Sequence, residues 1–231
     1  MLADGEVHLW WGRLDLDAER LATLYSSLDV EESQRAARFH FDLDRLFFVA
    51  SHGMLRSILG GYLGADPASI EFRRGPRGKP ELAGRELCFN LSHAGNRAVV
   101  AVARQRQVGV DVERVRPAFA WLEIVERFFS PGEVAALRAL KPGEQTDAFF
   151  RCWTRKEAYL KARGDGIALG LKSFDVSLAP GEPARILGNS LGEEETGRWQ
   201  METLEPEPDY VGALVIERPE CALRCWEWEP Q

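Results

Sequence analysis

One pattern recurs in this chain at a shift of about one hundred residues, and internal periodicity of that kind constrains a fold more than composition does. Residues 45–63 show strong helical apolar periodicity, end at Gly64-Ala65-Asp66-Pro67 and lead into a short strand signal, Ile70-Glu71-Phe72. Shifted, this falls on a second helical stretch, residues 146–163, followed by Ser173-Phe174-Asp175-Val176. Upstream, Val30-Glu31-Glu32 falls near Gly132-Glu133-Val134, so each half reads helix, helix, strand. Residue identity between the halves is slight, and chance agreement is the alternative. A true duplication implies two similar α+β halves with a ligand site at their interface.

The rest of the chain fits an α+β reading. Val7 to Trp11 has strand character, and apolar Leu21, Leu24, Tyr25 and Leu28 follow at helical spacing. A helical segment beginning near Glu31 carries Arg35 and Arg38. Residues 87–93 and 98–103 are strand candidates joined by a turn at Ala94-Gly95-Asn96-Arg97. Ser130-Pro131-Gly132-Glu133 is a capping box with proline at the first helical position. The last third reads as strands at 171–178, 185–187, 197–204, 210–216 and 221–228, with Gly192-Glu193-Glu194-Glu195-Thr196 as a surface loop.

Charge and composition exclude some functions. The formal net charge of −7 argues against general nucleic-acid binding, which needs a basic surface. A local cluster, Arg73-Arg74-Gly75-Pro76-Arg77-Gly78-Lys79, can still oppose the global sign and hold a small anion; a solvated turn is the alternative. No apolar run approaches the roughly 20 residues of a membrane span, and the N-terminal residues lack a signal-peptide pattern. Cys88, Cys152, Cys221 and Cys225 are scattered without zinc-binding spacing, so reduced thiols in a cytoplasmic protein are expected.

Three carboxylates and a lysine carry the chemistry. Asp111 and Glu113 sit two apart in Val108-Gly109-Val110-Asp111-Val112-Glu113, and on a strand they share a face, with Val110 and Val112 on the other. Glu157 and Lys161 lie one turn apart on the helix of residues 146–163, together with Phe150 and Trp153. An i,i+4 surface ion pair between Glu157 and Lys161 is the simpler reading. Taken with Asp111, Glu113 and the basic run, the set suits a phosphate ester held through Mg²⁺, a hard ion that takes a few carboxylates plus phosphate oxygens. Mn²⁺ accepts the same donors. Asn90-Leu91-Ser92-His93-Ala94-Gly95 adds a hydroxyl and an imidazole; as neighbours on a strand, Ser92 and His93 face opposite ways and do not form a nucleophile–base pair.

The ordered set Gly75-Pro76-Arg77-Gly78-Lys79-Pro80, Phe89-Asn90-Leu91-Ser92-His93, Gly109-Val110-Asp111-Val112-Glu113, Phe128-Phe129-Ser130 and Trp153-Thr154-Arg155-Lys156-Glu157-Ala158 with Lys161 resembles the 4'-phosphopantetheinyl transferases of the larger, surfactin-synthetase-activating (Sfp) type. The similarity runs over residues 5–217 and is strongest over 73–174. It implies a pseudo-twofold α+β monomer with the active site between the halves. Residues 1–106 would form the half on the coenzyme A 3'-phosphate and adenine side, and 107–231 the half with the metal and catalytic residues. The implied reaction is Mg²⁺-dependent transfer of 4'-phosphopantetheine from coenzyme A to a serine of an apo acyl or peptidyl carrier protein, releasing 3',5'-ADP. A metal-dependent phosphohydrolase and a catalytically inactive module binding coenzyme A or carrier are the alternatives.

By the same resemblance, Asp111, Glu113 and Glu157 bind Mg²⁺, and Glu157 deprotonates the carrier serine directly or through water. Lys161 contacts the diphosphate and, as a catalytic residue beside Glu157, protonates or stabilises the leaving group. Asp111, Ser92 and His93 belong with the coenzyme A contacts, and Lys79 lies beside the 3'-phosphate. The role of Lys156 is open. Glu32 and Phe48 depart from the family pattern near the 3'-phosphate, where Arg35, Arg38 and Arg45 are the candidate cations. The carrier is expected to meet Arg116, Arg127, Phe128 and Phe129; for the two phenylalanines the core of a helix end is the alternative, and at least one of them is expected to be buried.

Overall fold

The computed structural model describes residues 2–75, 77–84, 86–164 and 170–230. Pro76, in the basic run noted above, lies outside the described residues, as do the chain-end residues Met1 and Gln231. The first half runs β1 (Glu6–Arg13), α1 (Ala18–Ser26), α2 (Val30–Ala36), α3 (Asp42–Leu63), β2 (Phe72–Arg74), β3 (Pro80–Leu82), β4 (Leu87–Ala94) and β5 (Arg97–Arg104). The second runs β6 (Val108–Arg114), α4 (Leu122–Phe128), α5 (Pro131–Ala139), α6 (Pro142–Arg163), β7 (Phe174–Val176), β8 (Ile186–Asn189), α7 (Glu193–Gly197), β9 (Trp199–Leu204) and β10 (Tyr210–Glu217). A last strand, β11 (Ala222–Glu227), follows.

The halves share one topology. Strand order is β1-β5-β4 in the first and β6-β10-β9 in the second, each antiparallel throughout, and each half adds a small hairpin, β2–β3 or β7–β8. Local signals match as well. Both α2 and α5 start with a reciprocal capping box, Asp29 with Glu32 and Ser130 with Glu133, which satisfies end-of-helix amides. Both α3 and α6 are 22 residues long and stop at a left-handed glycine, Gly64 at φ 61° and Gly164 at φ 72°. The shift noted in the sequence therefore reflects two similar α+β halves.

Four sequence expectations change. β11 pairs parallel to β1, so residues from beyond position 107 complete the sheet of the first half. Gly192 to Thr196 is not simply a loop, because Glu193–Gly197 turn into the short helix α7. The strands after the long helices begin late: Pro67–Ser69 and Leu171–Ser173 are single 3-10 turns, and pairing starts at Phe72 and Phe174. Arg73 and Arg74 accordingly lie in β2, and the turn of the hairpin follows them.

Three apolar layers hold the structure. Leu55, Leu59, Phe89, Val100 and Val102 pack between α3 and the first sheet. Phe149, Phe150, Tyr159, Ala213 and Val215 pack between α6 and the second. Val7, Leu9, Val99, Ala101, Val108, Val110, Val112, Leu214 and Ile216 fill the space between the two sheets. Alternation along β6 thus commits its valines to the inter-sheet core and turns Gly109, Asp111 and Glu113 toward α6. Gly109 lies so close to Ala158 and Ala162 that a β-carbon would overlap the α6 backbone. Its lack of a side chain lets α6 lie directly on β6.

Candidate active site

The site forms where edge strand β4 of one sheet meets edge strand β6 of the other. These strands are joined by side chains that stand in for a ladder. Val110 N donates to Asn90 Oδ1 at 2.8 Å, and Val112 N donates to Ser92 Oγ at 3.3 Å. Asn90 and Ser92, two apart on β4, therefore lock the register of the strand bearing Asp111 and Glu113. Ser92 Oγ also donates to Asp111 Oδ1 at 2.8 Å.

Lys161 reaches across from α6 into this junction. Its Nζ lies 2.6 Å from Asp111 Oδ1, 3.0 Å from Ser92 Oγ and 3.2 Å from the Val110 carbonyl. The i,i+4 pairing with Glu157 considered from sequence is not what forms: Lys161 bonds to residues of both halves. Among the described residues, the carboxylates of Glu113 and Glu157 make no hydrogen bond or ion pair, and buried Asp111 Oδ2 also has no partner. A buried acceptor left open is costly and uncommon, and it marks a place for a cation or donor.

Electrostatics agree with a cluster of acids short of positive charge. Burial, then the charge of Asp111, pushes the Glu113 carboxyl up to about 7 despite Lys161 and Arg116. Burial and Asp111 likewise raise Glu157, and Lys161 only partly offsets them. Like charges brought together away from water favour protonation unless a cation joins them. Among the described residues no three acidic, histidine or cysteine side chains form a ready-made metal cage. The arrangement is an open one in which Lys161 already neutralises part of Asp111.

A second group lines the first-half side. His93 is solvent-accessible, yet the protein atoms crowded round it, followed by the charges of His52, Lys161 and Arg35, draw its pKa down to about 4. Arg35 is thus among the charges acting on His93. Arg45 is exposed and pairs with Asp42 at 2.9 Å, and Arg38 is exposed at the end of α2. Lys79 has protein partners: its Nζ donates to the carbonyls of Val108 and Ala162 at 2.9 and 3.2 Å and to Gln107 at 3.3 Å. These bonds tie the β2–β3 turn to the start of β6 and the end of α6, and burial draws this lysine down to about 8.

The expected carrier contacts divide. Arg116 stacks over Phe119 at 4.3 Å, and Arg127 lies over half-buried Phe128 at 5.1 Å. Phe129 is withdrawn from the surface at 1% exposure, its ring stacked on Phe149. It faces inward because the chain passes there from α4 into the Ser130 capping box, which fixes the residue beside it against the core.

The carboxylates and the lysine of this cluster lie in the second half. With α3 and α6 matched at their glycine ends, Ser57 and Gly61 correspond to Glu157 and Lys161. With β1 and β6 matched at their last ladder pairs, Trp10 corresponds to Asp111 and Gly12 to Glu113. Trp10, Ser57 and Gly61 line a cavity of about 1100 Å³ that has none of the acids of the second half at those positions.

Two contributors were not assigned roles from sequence. Asn90 stands on the same face of β4 as Ser92, a period-two signal that could have singled it out. His52 gave no local signal, since its partner Glu32 is on another helix.

Comparison with known proteins identifies the family of the chain. The family model described as the 4'-phosphopantetheinyl transferase superfamily matches residues 107–215, and the model of the 4'-phosphopantetheinyl transferase N-terminal region matches 16–105. The chain is 42% identical over 219 residues to the 4'-phosphopantetheinyl transferase HetI of Nostoc sp., covering 93% of this chain and 89% of that protein. It is 30% identical to the 4'-phosphopantetheinyl transferase Sfp of Bacillus subtilis, covering 89% of each. With the duplicated fold, the paired strand acids and the helix-borne Glu157 and Lys161, these similarities establish that the chain belongs to the 4'-phosphopantetheinyl transferase family.

Proposed function

We propose that this protein transfers 4'-phosphopantetheine from coenzyme A to a serine hydroxyl of an apo acyl or peptidyl carrier protein, with Mg²⁺, releasing 3',5'-ADP. The observation that carries the reading is Asp111, with one oxygen bonded to Lys161 and the other open and buried, beside two carboxylates without partners. Such donors fit an ion that completes its shell with phosphate oxygens and water. Asp111, Glu113 and Glu157 would hold it; when bound, it supplies positive charge to the diphosphate.

The residues themselves account for the proton and the leaving group. The serine oxygen forms a bond to the phosphorus bearing pantetheine, and the bond from that phosphorus to the bridging oxygen of the diphosphate breaks. Glu157, made more basic by burial and Asp111, accepts the serine proton, directly or through a water. Lys161 faces the oxygen that leaves with 3',5'-ADP and offsets its charge. His93 and Arg35 line the approach of the remaining anionic groups.

Family membership supports a carrier protein as partner, and the segment after β6 is the proposed docking side. Arg116 lies near enough to Glu113 to act on its titration, so a partner held by Arg116 and Arg127 would present a serine beside the acids. Acidic carriers suit those charges. Monomeric, cytoplasmic function belongs to the same reading, in keeping with four free cysteines. Among the described residues no helix is long and apolar enough to cross a membrane.

Incubation with coenzyme A, Mg²⁺ and an apo carrier tests the reading. The carrier is expected to gain the mass of one phosphopantetheine, and Glu157→Gln to lose that transfer by two or more orders of magnitude while still folding. Hydrolysis of coenzyme A with an unchanged carrier would instead make the protein a phosphohydrolase, and binding with neither reaction an inactive module.

A further inference from the structure

His52 lies on α3, and its charge is among those that act on His93. Its Nδ1 is 2.8 Å from Glu32 Oε1, and its ring stacks on Phe48 at 4.0 Å and 29°. Arg35 approaches the same Phe48 ring at 5.1 Å. Glu32 is fixed from behind: its other oxygen accepts Arg56 Nε at 2.5 Å and the Asp29 amide at 3.2 Å. Burial raises the Glu32 carboxyl, but His52 and Arg56 outweigh it and hold the group ionised. An ionised acceptor at Nδ1 fixes the proton on that nitrogen and leaves Nε2 as the outward atom. Among the described residues Nε2 has no partner, while the side chain is 19% exposed.

His52 and Arg35 both lie against the Phe48 ring, so two nitrogen-bearing side chains of the first half are gathered at one place. His52, Arg35 and Lys161 all act on His93 as positive charges, and Asp44 is the acid acting on it in the opposite sense. Lys161 belongs to the diphosphate end. Arg35 and His52 come from the other half, so they suit a separate anionic group of the same ligand. Coenzyme A has one such group, the 3'-phosphomonoester.

We propose that His52, oriented by Glu32 and Phe48, is a specificity residue for the 3'-phosphate of coenzyme A, contacting it through Nε2. The inference rests on coenzyme A as the substrate. Glu32, a departure from the family pattern, then serves as the residue that positions the histidine without touching the phosphate. Phe48 fills the other departing position as the stacking platform for His52 and Arg35.

Calorimetric binding of coenzyme A and 3'-dephospho-coenzyme A tests this without requiring turnover. Wild type is expected to favour coenzyme A, and His52→Ala to weaken its binding about tenfold, a loss in the range of a charge-assisted hydrogen bond, with dephospho-coenzyme A unaffected. In the transfer assay the same variant should raise KM for coenzyme A and leave kcat unchanged. Glu32→Gln should reduce the preference partially. His52→Gln keeps a polar side chain of similar reach, and serves if alanine upsets folding in thermal melts. A wild type indifferent to the 3'-phosphate, or a His52 variant weakened equally toward both ligands, overturns the proposal. Absence of carrier modification alongside a His52-dependent preference would sink the transfer reading alone.

Discussion

Lys156 Nζ lies 2.8 Å from Glu133 Oε2 with both groups buried, and Arg56 Nε meets Glu32 Oε2 at 2.5 Å in the matching place of the other half. Each cation also donates to two carbonyls of the chain leaving its long helix: Lys156 to Leu171 and Phe174, Arg56 to Pro67 and Ile70. Glu133 and Glu32 are the last members of the two capping boxes. The repeated ion pair ties the start of one helix, the middle of the next and the following turn into one unit. This gives Lys156 a structural role inside a motif whose neighbours, Glu157 and Lys161, face the site.

Removing the cation should therefore act on stability first. Lys156→Met leaves Glu133 and two carbonyls buried without their partner, a defect that costs about 3–5 kcal/mol. Urea unfolding should show that loss, and a shift below 1 kcal/mol would contradict the structural role.

Asp111→Asn tests the electrostatic core of the site. The charge of Asp111 is the second cause of the high Glu113 value, after burial, so Glu113 should titrate below about 7 in the variant. Transfer should fall by at least about 100-fold as the acid set loses one member. Carbon-detected NMR of the glutamate carboxyls and carrier mass spectrometry read the two effects.

His93 gives a pH prediction whose sign can be worked out. Its pKa falls from an ordinary 6.5 to about 4 on folding, so the folded protein binds fewer protons than the unfolded chain between those values. The stability associated with neutral His93 is complete above about 6.5 and is lost as pH falls toward about 4. His93→Gln should flatten this part of the stability curve. Ring NMR should place the wild-type midpoint near 4 and move it upward when 3',5'-ADP neutralises the surrounding cations.

Gly109→Ala should disturb both halves of the site at once. The added methyl meets the α6 backbone at Ala158 and Ala162, which cannot move without carrying Glu157 and Lys161 away from Asp111. Overpacking of this kind costs about 1–3 kcal/mol or more. A variant as stable and active as wild type would show that α6 is not held there.

Much was legible along the chain because it depends on local rules. Two-residue alternation placed Asp111 and Glu113 opposite Val110 and Val112, helical spacing put Glu157 and Lys161 on one helix, and Ser130 with Glu133 announced a helix start. The strand after α6 was read too long because Leu171 is apolar for a different reason: it begins a turn whose carbonyl meets Lys156. That at least one of Phe128 and Phe129 turns inward was expected, but which one was not legible, because sequence cannot distinguish an exposed helix end from one turned into a core.

By itself, then, the sequence determined which acids share a face and suggested two repeated α+β halves with chance as the alternative, since both readings rest on backbone periodicity. Only the tertiary structure decided that Lys161 bonds to Asp111 and not to Glu157, that Lys79 ties backbone elements together, and that His52 and Arg35 both lie against the Phe48 ring. Those relations link residues distant in the chain through the β4–β6 junction and the α2–α3 contact. Their geometry is set by how whole elements pack, which no local spacing encodes.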